Sequence, residues 1–395
     1  MVNFTTLKRT AKYLIVLIIL THFCTNGYSL QLSDQAEISL LTCSPGTELY
    51  SIFGHSAIRV WDPVLGIDYV YNYGVFDFNT PNFYMKFVKG KLLYQIDRTS
   101  FNFFVYGYIQ EDRSVYQQIL ILSKKEKEQI FSALETNYLP QNRYYLYDFF
   151  YNNCCTKIID LLESQVKDKN WFLHLDNPAN MTFRQNITVY LSSIEWAKFG
   201  IDLIMGLPAD KKMSVRESMF LPDNLMNNLN SNSSKLAGNI VTLFKGSNIP
   251  PKRNMANPNR IMWLISITII LATLIIKSKK TIIFIDKTIF LTTGLFGIFF
   301  LILWLGTDHE SLKYNLNLLW AIPSNIVFAF RRKLKNNRMN KYYFLGYGIF
   351  LLFIIIFWKA IPQEFNKAAI PIILLLSFRS FVLFRQVEKT ARHIN

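Results

Sequence analysis

The last third of this chain is the part least able to fold in water. After residue 260 five apolar runs follow one another: Ile261–Ile276, Thr288–Leu305, Leu316–Phe330, Tyr342–Ile361 and Ala368–Phe384. Such runs are candidate membrane spans, although several are shorter than the roughly 20 residues that a full crossing wants. Short basic groups separate them. Lys277, Lys279 and Lys280 form the first; Arg331, Arg332, Lys333, Lys335, Arg338 and Lys341 the second; Arg385, Lys389 and Arg392 the third. With five crossings and the N-terminal part outside, all three groups fall on the cytoplasmic side, as the positive-inside rule requires. The outward connections, Gly306–Tyr314 and Pro362–Lys367, carry Asp308, Glu310 and Glu364 instead. An even number of crossings would put the third basic group outside. Pro323 is placed to kink or break the third run. The net charge of +16 follows from this pattern. No basic stripe interleaved with exposed aromatics accompanies it, so no nucleic-acid partner is expected.

Ahead of the spans the chain reads as an exported α+β domain. In residues 1–29, Lys8, Arg9 and Lys12 precede an apolar core, Tyr13–Leu20, which is the form of a signal peptide with cleavage after Ser29. An uncleaved anchor is the alternative, and both place the next domain outside the cytoplasm. That domain spans 30–247, a proline- and asparagine-rich linker spans 248–260, and 261–395 is the transmembrane part with about five helices. A strand starts at His55, and Tyr69–Gly74 follows it across the turn Asp62-Pro63…Gly66 as a hairpin. Thr80-Pro81 predicts a helix start, with Phe83 and Phe87 on the helix and Gly90 at its end. Further strands are expected at Leu92–Asp97, Phe103–Ile109 and Val115–Leu122. Ser123 and Glu126 form a capping box opening a helix to about Tyr138. Phe199–Leu207 reads as a buried helix or one lying against the bilayer, and Asn227–Ser234 as a loop.

The chemistry is concentrated in Tyr147–Glu163, YDFFYNNCCTKIIDLLE. An aromatic segment stops at Asn152–Asn153 and turns into a helix whose buried face carries Ile158, Ile159, Leu161 and Leu162. Cys154 falls in the first turn, where the helix dipole and unpaired N–H groups favour a thiolate. Of four cysteines Cys24 lies in the signal segment, so Cys43, Cys154 and Cys155 leave at least one free thiol. Cys43 could bridge either of the others; adjacent Cys154 and Cys155 rarely reach disulfide geometry. A base must come from His55, His174 or His309, since His22 and His393 lie in the signal segment and the tail. His55, at the mouth of a strand, is best placed. Asn72, one strand on, suits the third group that orients the imidazole, with Asp148 its competitor. Histidine before cysteine reverses the papain order and matches a circularly permuted papain-like fold of the NlpC/P60 or lecithin:retinol acyltransferase kind. Against this stands the plain alternative that a Cys-Cys pair beside an apolar helix is core and a strand-end histidine is structural. His55, Cys154 and Cys155 lack paired metal-ligand spacing, so neither metal nor cofactor is expected.

Longer patterns narrow the choice. PGTELYSIFGHSAIRVWD, YNYGVFDF, KFVKGKLLY, NRYYLYDFFYNNCCTKI, GIDLIMGLPAD, FLPDNL and HESLKYNLNLLWAIPSN together resemble the Bacteroides-type lipoprotein N-acyltransferase family over most of residues 38–325. The family's Asn-Cys-small-Thr run matches Asn153-Cys154-Cys155-Thr156, with Cys155 in place of the usual alanine, and its Gly-His matches Gly54-His55. The resemblance implies acyl transfer at the outer face of a bacterial inner membrane, with Cys154 as nucleophile and His55 as base. The donor would be a phospholipid, the acceptor a diacylated lipoprotein. Tyr147, Asp148 and Asn153 beside the nucleophile, and His309 in an outward loop, are the candidate substrate contacts. A peptidase or amidase acting on cell-wall peptide would use the same pair, but it needs neither spans nor an apolar groove. A non-enzymatic membrane assembly factor is the third reading.

Overall fold

The computed structural model describes residues 31–168, 180–230, 236–247, 257–330 and 338–392. The signal segment, Trp171, His174, most of the linker, Arg331–Lys335 and His393 lie outside the described residues.

The exported domain is built on one antiparallel sheet. β1 (Glu37–Cys43), β2 (His55–Asp62), β3 (Ile67–Val75), α1 (Phe83–Val88), β4 (Leu93–Ser100), α2 (Phe101–Gln110), β5 (Val115–Ile119), α3 (Lys124–Tyr138), β6 (Tyr144–Leu146) and α4 (Cys154–Gln165) follow in order. After them come α5 (Phe183–Leu191), α6 (Glu195–Ile204), α7 (Val215–Ser218), α8 (Pro222–Leu229) and β7 (Val241–Phe244). The strand order is β6-β4-β3-β2-β1-β5-β7. Alternation along the strands gives the sheet two apolar faces. Ile38, Leu40, Ile58, Val60, Tyr71 and Tyr73 meet α3 and α4 on one face. Leu41, Cys43, Ala57 and Val70 meet Phe104 of α2 on the other. On α4 the fully covered Ile158, Ile159 and Leu162 hold the helix to the sheet, each contributing roughly 1.5–3 kcal/mol.

Three local expectations change. Phe101–Gln110 is a helix, not the strand expected over Phe103–Ile109. Its aromatics suit a strand by propensity, but Ser100 caps it by accepting the N–H of Phe103, and Phe101, Phe104 and Tyr108 pack toward the sheet at helical spacing. The helix after Thr80-Pro81 begins two residues later, capped by Asn82 in the left-handed region. The Ser123–Glu126 box closes reciprocally, as the sequence predicts. The first part of the Asn227–Ser234 loop belongs instead to α8, which proline at its start and buried Leu225 and Leu229 carry on to Leu229.

In the membrane half, α9 (Pro258–Ile275), α10 (Lys279–Gly306), α11 (Asn325–Phe330), α12 (Arg338–Ile356) and α13 (Ala369–Arg392) follow. Four of these are long and apolar enough to cross a bilayer, namely α9, α10, α12 and α13. The third apolar run is not one helix. Leu316–Leu319 is a single 3-10 turn, and Pro323, which has no N–H to give, separates it from the short α11. The backbone of this segment lies directly on α10, because Gly297 and Gly294 leave room for it. A side chain at Gly297 would sit 2.1 Å from the Ala321 carbonyl, and one at Gly294 2.7 Å from the Ile326 nitrogen. Asn325 donates to Thr293 and to Tyr347, so the freed polar groups find partners inside the bundle. Deeper along α10, Asp286 and Arg379 of α13 form a two-pronged buried ion pair at 2.6 and 2.9 Å.

The two halves are joined by hydrogen bonds, not by the linker alone. Phe199 and Leu203 of α6 belong to the apolar core of the membrane half, so α6 is both buried and membrane-directed. The buried Asn315 donates to the carbonyls of Leu203 and Ile204, and the buried Gln363 donates to the carbonyl of Met205 and to Asn315 Oδ1. Both outward connections therefore end against the same turn after α6.

Candidate active site

Cys154 starts a helix packed on one face of the sheet, His55 starts a strand with its side chain on the other face, and they meet at the sheet's end. α4 lies on the face that carries Ile58 and Val60, whereas alternation puts His55 on the side of Ala57. Each is the first residue of its element, so both side chains sit where the sheet stops. Gly54 turns the chain into β2 with φ of 79°. A side chain there would meet the Cys43 carbonyl at 2.8 Å.

His55 Nε2 donates to Asn72 Oδ1 at 2.5 Å. That bond fixes the ring and leaves Nδ1 for the sulfur of Cys154, with which His55 shares a hydrogen bond and a charge interaction. Burial works against a charged His55, but Cys154 and Asn72 outweigh it and raise its pKa. The Cys154 thiol is held well below the usual range. A hydrogen bond from the Cys155 thiol contributes most; burial opposes it, and the charge and hydrogen bond of His55 and the backbone N–H of Ser56 add to it. Both shifts, the thiol down and the imidazole up, favour a thiolate–imidazolium pair.

The three cysteines are free, so no Cys43 bridge forms. Cys43 and Cys155 are fully covered, while Cys154 keeps 9% exposure. Burial pushes Cys43 up to about 12 and Cys155 well above the thiol range. Of the three thiols Cys154 alone is shifted toward the thiolate. Cys155 stands nearer the chemistry than a mere alanine replacement: its sulfur lies 4.0 Å from that of Cys154 and donates to Ser56 Oγ at 3.5 Å.

The remaining sequence candidates separate clearly. Asn72 is on the imidazole, whereas Asp148 Oδ1 accepts the N–H groups of Phe150 and Tyr151 at 2.9 and 3.0 Å and shapes the turn before α4. Asn153 caps α4: it accepts from Thr156 and donates to the carbonyls of Phe149 and Phe220, so its polar groups are used by the fold. Tyr147 stacks on Tyr94 at 4.3 Å beside the nucleophile. Burial, then the charge of Cys154, raises its pKa well above the usual phenol range. His309 reaches α1 instead, its Nε2 donating to the Phe87 carbonyl at 2.9 Å. The sequence reading passed over Ser56 and Tyr94; a backbone N–H and a stacked ring leave no motif to find. Among the described residues no group of three His, Cys, Asp or Glu side chains could hold a metal ion.

Comparison with known proteins adds the family. Residues 28–187 match the Lnb N-terminal periplasmic domain, and residues 251–390 match the Lnb transmembrane domain. No curated protein and no solved structure matches. The two domain matches run in order along most of the chain, which belongs to the Lnb family, the Bacteroides-type lipoprotein N-acyltransferases.

Proposed function

As a member of the Lnb family the chain has a periplasmic domain and a transmembrane domain, and we propose that it moves an acyl chain from a phospholipid to a lipoprotein's N-terminal amine through a thioester on Cys154. The observation that carries this reading is Cys154 at the start of α4 beside a histidine oriented by Asn72, in a domain hydrogen-bonded to a membrane bundle.

The steps follow from the geometry. The Cys154 thiolate attacks a glycerol ester carbonyl of the phospholipid. The first N–H groups of α4 have no carbonyl ahead of them. Asn153 takes that of Thr156, and those of Cys154 and Cys155 remain for the oxyanion. The S–C bond forms, the C–O bond breaks, and lysophospholipid leaves with the proton from His55. The α-amine of a diacylglyceryl-cysteine then attacks the thioester. The N–C bond forms, the C–S bond breaks, and the amine proton passes to His55, restoring the ion pair. The product is a triacylated lipoprotein.

Architecture completes the reading. The soluble part, residues 30–247, is a circularly permuted papain-like domain, with a signal peptide before it and a linker at 248–260. The bundle, residues 261–395, crosses the inner membrane five times, the third crossing being the broken segment 316–330. That segment has to descend, because the outer ends of α10 and α12 both lead to connections bonded to the turn after α6. Both substrates stay in the bilayer, so the domain needs only to hold Cys154 at headgroup level.

The test is mass spectrometry of lipoprotein N-terminal peptides from cells lacking native N-acylation, expressing the intact chain, Cys154→Ala or His55→Ala. A third acyl chain made only by the intact chain supports the reading. Acylation that survives Cys154→Ala removes the thioester route. No acylation from a well-expressed intact chain points to peptidoglycan digestion as the next assay.

A further inference from the structure

The helix α1 is apolar and buries none of its side chains. Its sequence, FYMKFV, leaves Tyr84 77%, Met85 58% and Phe87 49% exposed, with Phe78 just before it 61% exposed. In a water-soluble domain a cluster of this size calls for a covering. Its position says what covers it. The carbonyl of Lys89 accepts the N–H of Asp308, and His309 bonds the Phe87 carbonyl. Asp308 lies two residues beyond the outer end of α10. α1 is therefore pinned beside the last turn of a spanning helix, where Leu305 is 76% exposed, at the level where hydrocarbon meets headgroups.

From α1 a file of rings runs inward. Phe87 and Phe83 are parallel at 6.4 Å, Phe83 meets Phe76 at 5.8 Å, Phe76 meets Tyr94 at 5.2 Å, and Tyr94 stacks on Tyr147 at 4.3 Å. The file ends at the nucleophile: Tyr147 and the Cys154 Cβ each lie 3.8 Å from the point where a side chain on Gly74 would begin. Lys86, Lys89 and Lys91 stand along the outer end of the file. Cations beside an apolar lip suit a lipid with a phosphate. The diacylglyceryl anchor of the acceptor has none, so the lysines favour the donor.

We propose that α1 dips into the outer leaflet and that the acyl chain of the donor phospholipid reaches Cys154 along Phe87, Phe83, Phe76, Tyr94 and Tyr147. This rests on the transferase reading for its last step, the ester carbonyl arriving at the thiolate, but not for the entry itself.

The experiment keeps the two apart. Full-length Cys154→Ala protein in liposomes is irradiated with a phosphatidylethanolamine carrying a diazirine in one acyl chain, and adducts are mapped by mass spectrometry. Adducts on residues 76–94 are expected; adducts confined to the spanning helices, with none on 76–94, overturn the proposal. In a second arm the intact protein and Tyr84→Ser/Met85→Ser, two exposed α1 residues outside the file of rings, are given vesicle phospholipid or a short-chain p-nitrophenyl ester. Acyl-thioester formation from phospholipid should fall on the order of a hundredfold, as lost insertion of two apolar side chains dictates, while acylation by the soluble ester is unchanged. An equal loss with both donors would make α1 a structural support only and overturn the entry path. Adducts on 76–94 in a protein that forms no thioester with either donor would uphold the entry and sink the transferase reading.

Discussion

Two buried polar clusters lie in this molecule, one at the end of the sheet and one at the junction with the membrane bundle, and they are finished differently. At the junction Arg184 is 1% exposed and holds Asp210 at 2.8 and 3.0 Å, Asp202 at 3.3 Å, and the carbonyls of Asp202 and Met205. Asp202 in turn takes Lys198 and Asn366, and Asn315, Asn317 and Gln363 bond carbonyls of the turn beside it. The donors there point at protein, and the result is a rigid joint. At the sheet end His55 has Asn72 on one side and Cys154 on the other, and Cys154 keeps 9% exposure where Cys43 and Cys155 keep none. The difference teaches how to tell a site from a scaffold. Satisfied charge fixes a shape; charge held in place with one reactive atom left reachable performs chemistry.

Breaking each cluster should therefore give different signatures. The largest effect is expected from Cys154→Ala or His55→Ala, with acyl transfer falling roughly a thousandfold or more while thermal unfolding of the purified protein barely moves. Arg184→Met should do the reverse. It strands the buried Asp210 carboxylate and destabilises by about 3–5 kcal/mol, read as a lower unfolding midpoint in detergent. Asp210 is already pushed up by burial against the pull of Arg184, so this loss should lessen as acid neutralises that carboxylate. If Arg184→Met left stability intact, the joint would not be the scaffold described here.

Smaller changes sharpen the site. Asn72→Ala frees the imidazole ring and should lower turnover about a hundredfold, whereas Asp148→Asn, which keeps an acceptor for its turn, should cost far less. Equal losses would reopen the choice between them. The pH profile of Cys154 alkylation gives the sign of the ion pair. With Cys154 lowered and His55 raised, the pair exists between those two pKa values, a window that both shifts widen. Labelling should hold level down into mild acid and fall only below the thiol's lowered pKa. In His55→Ala it should climb only toward alkaline pH. Cys155→Ala is the mildest change: the thiol loses a hydrogen bond, its profile moves up, and turnover falls a few-fold, about what one weak hydrogen bond is worth.

Much of this was legible in the chain because it is set locally. The helix cap at Ser123, the start of α4 after Asn153 and its apolar face, the strand starting at His55 and four of the five runs after residue 260 depend on neighbours within a few residues, and the structure keeps them. The positions of Cys154 and His55 were readable for the same reason, since a helix start and a strand start are local events. Tertiary structure decided the rest. Residues 101–110 have strand-like composition but are helical because one aromatic face packs on the sheet. The third apolar run breaks because α10 offers two glycines for its backbone and the bundle offers partners for Asn325. Asn72, not Asp148, holds the imidazole because strand pairing brings β3 beside β2. A sequence states which groups could serve; which of them meet depends on register and packing between elements far apart in the chain, and no local rule encodes that.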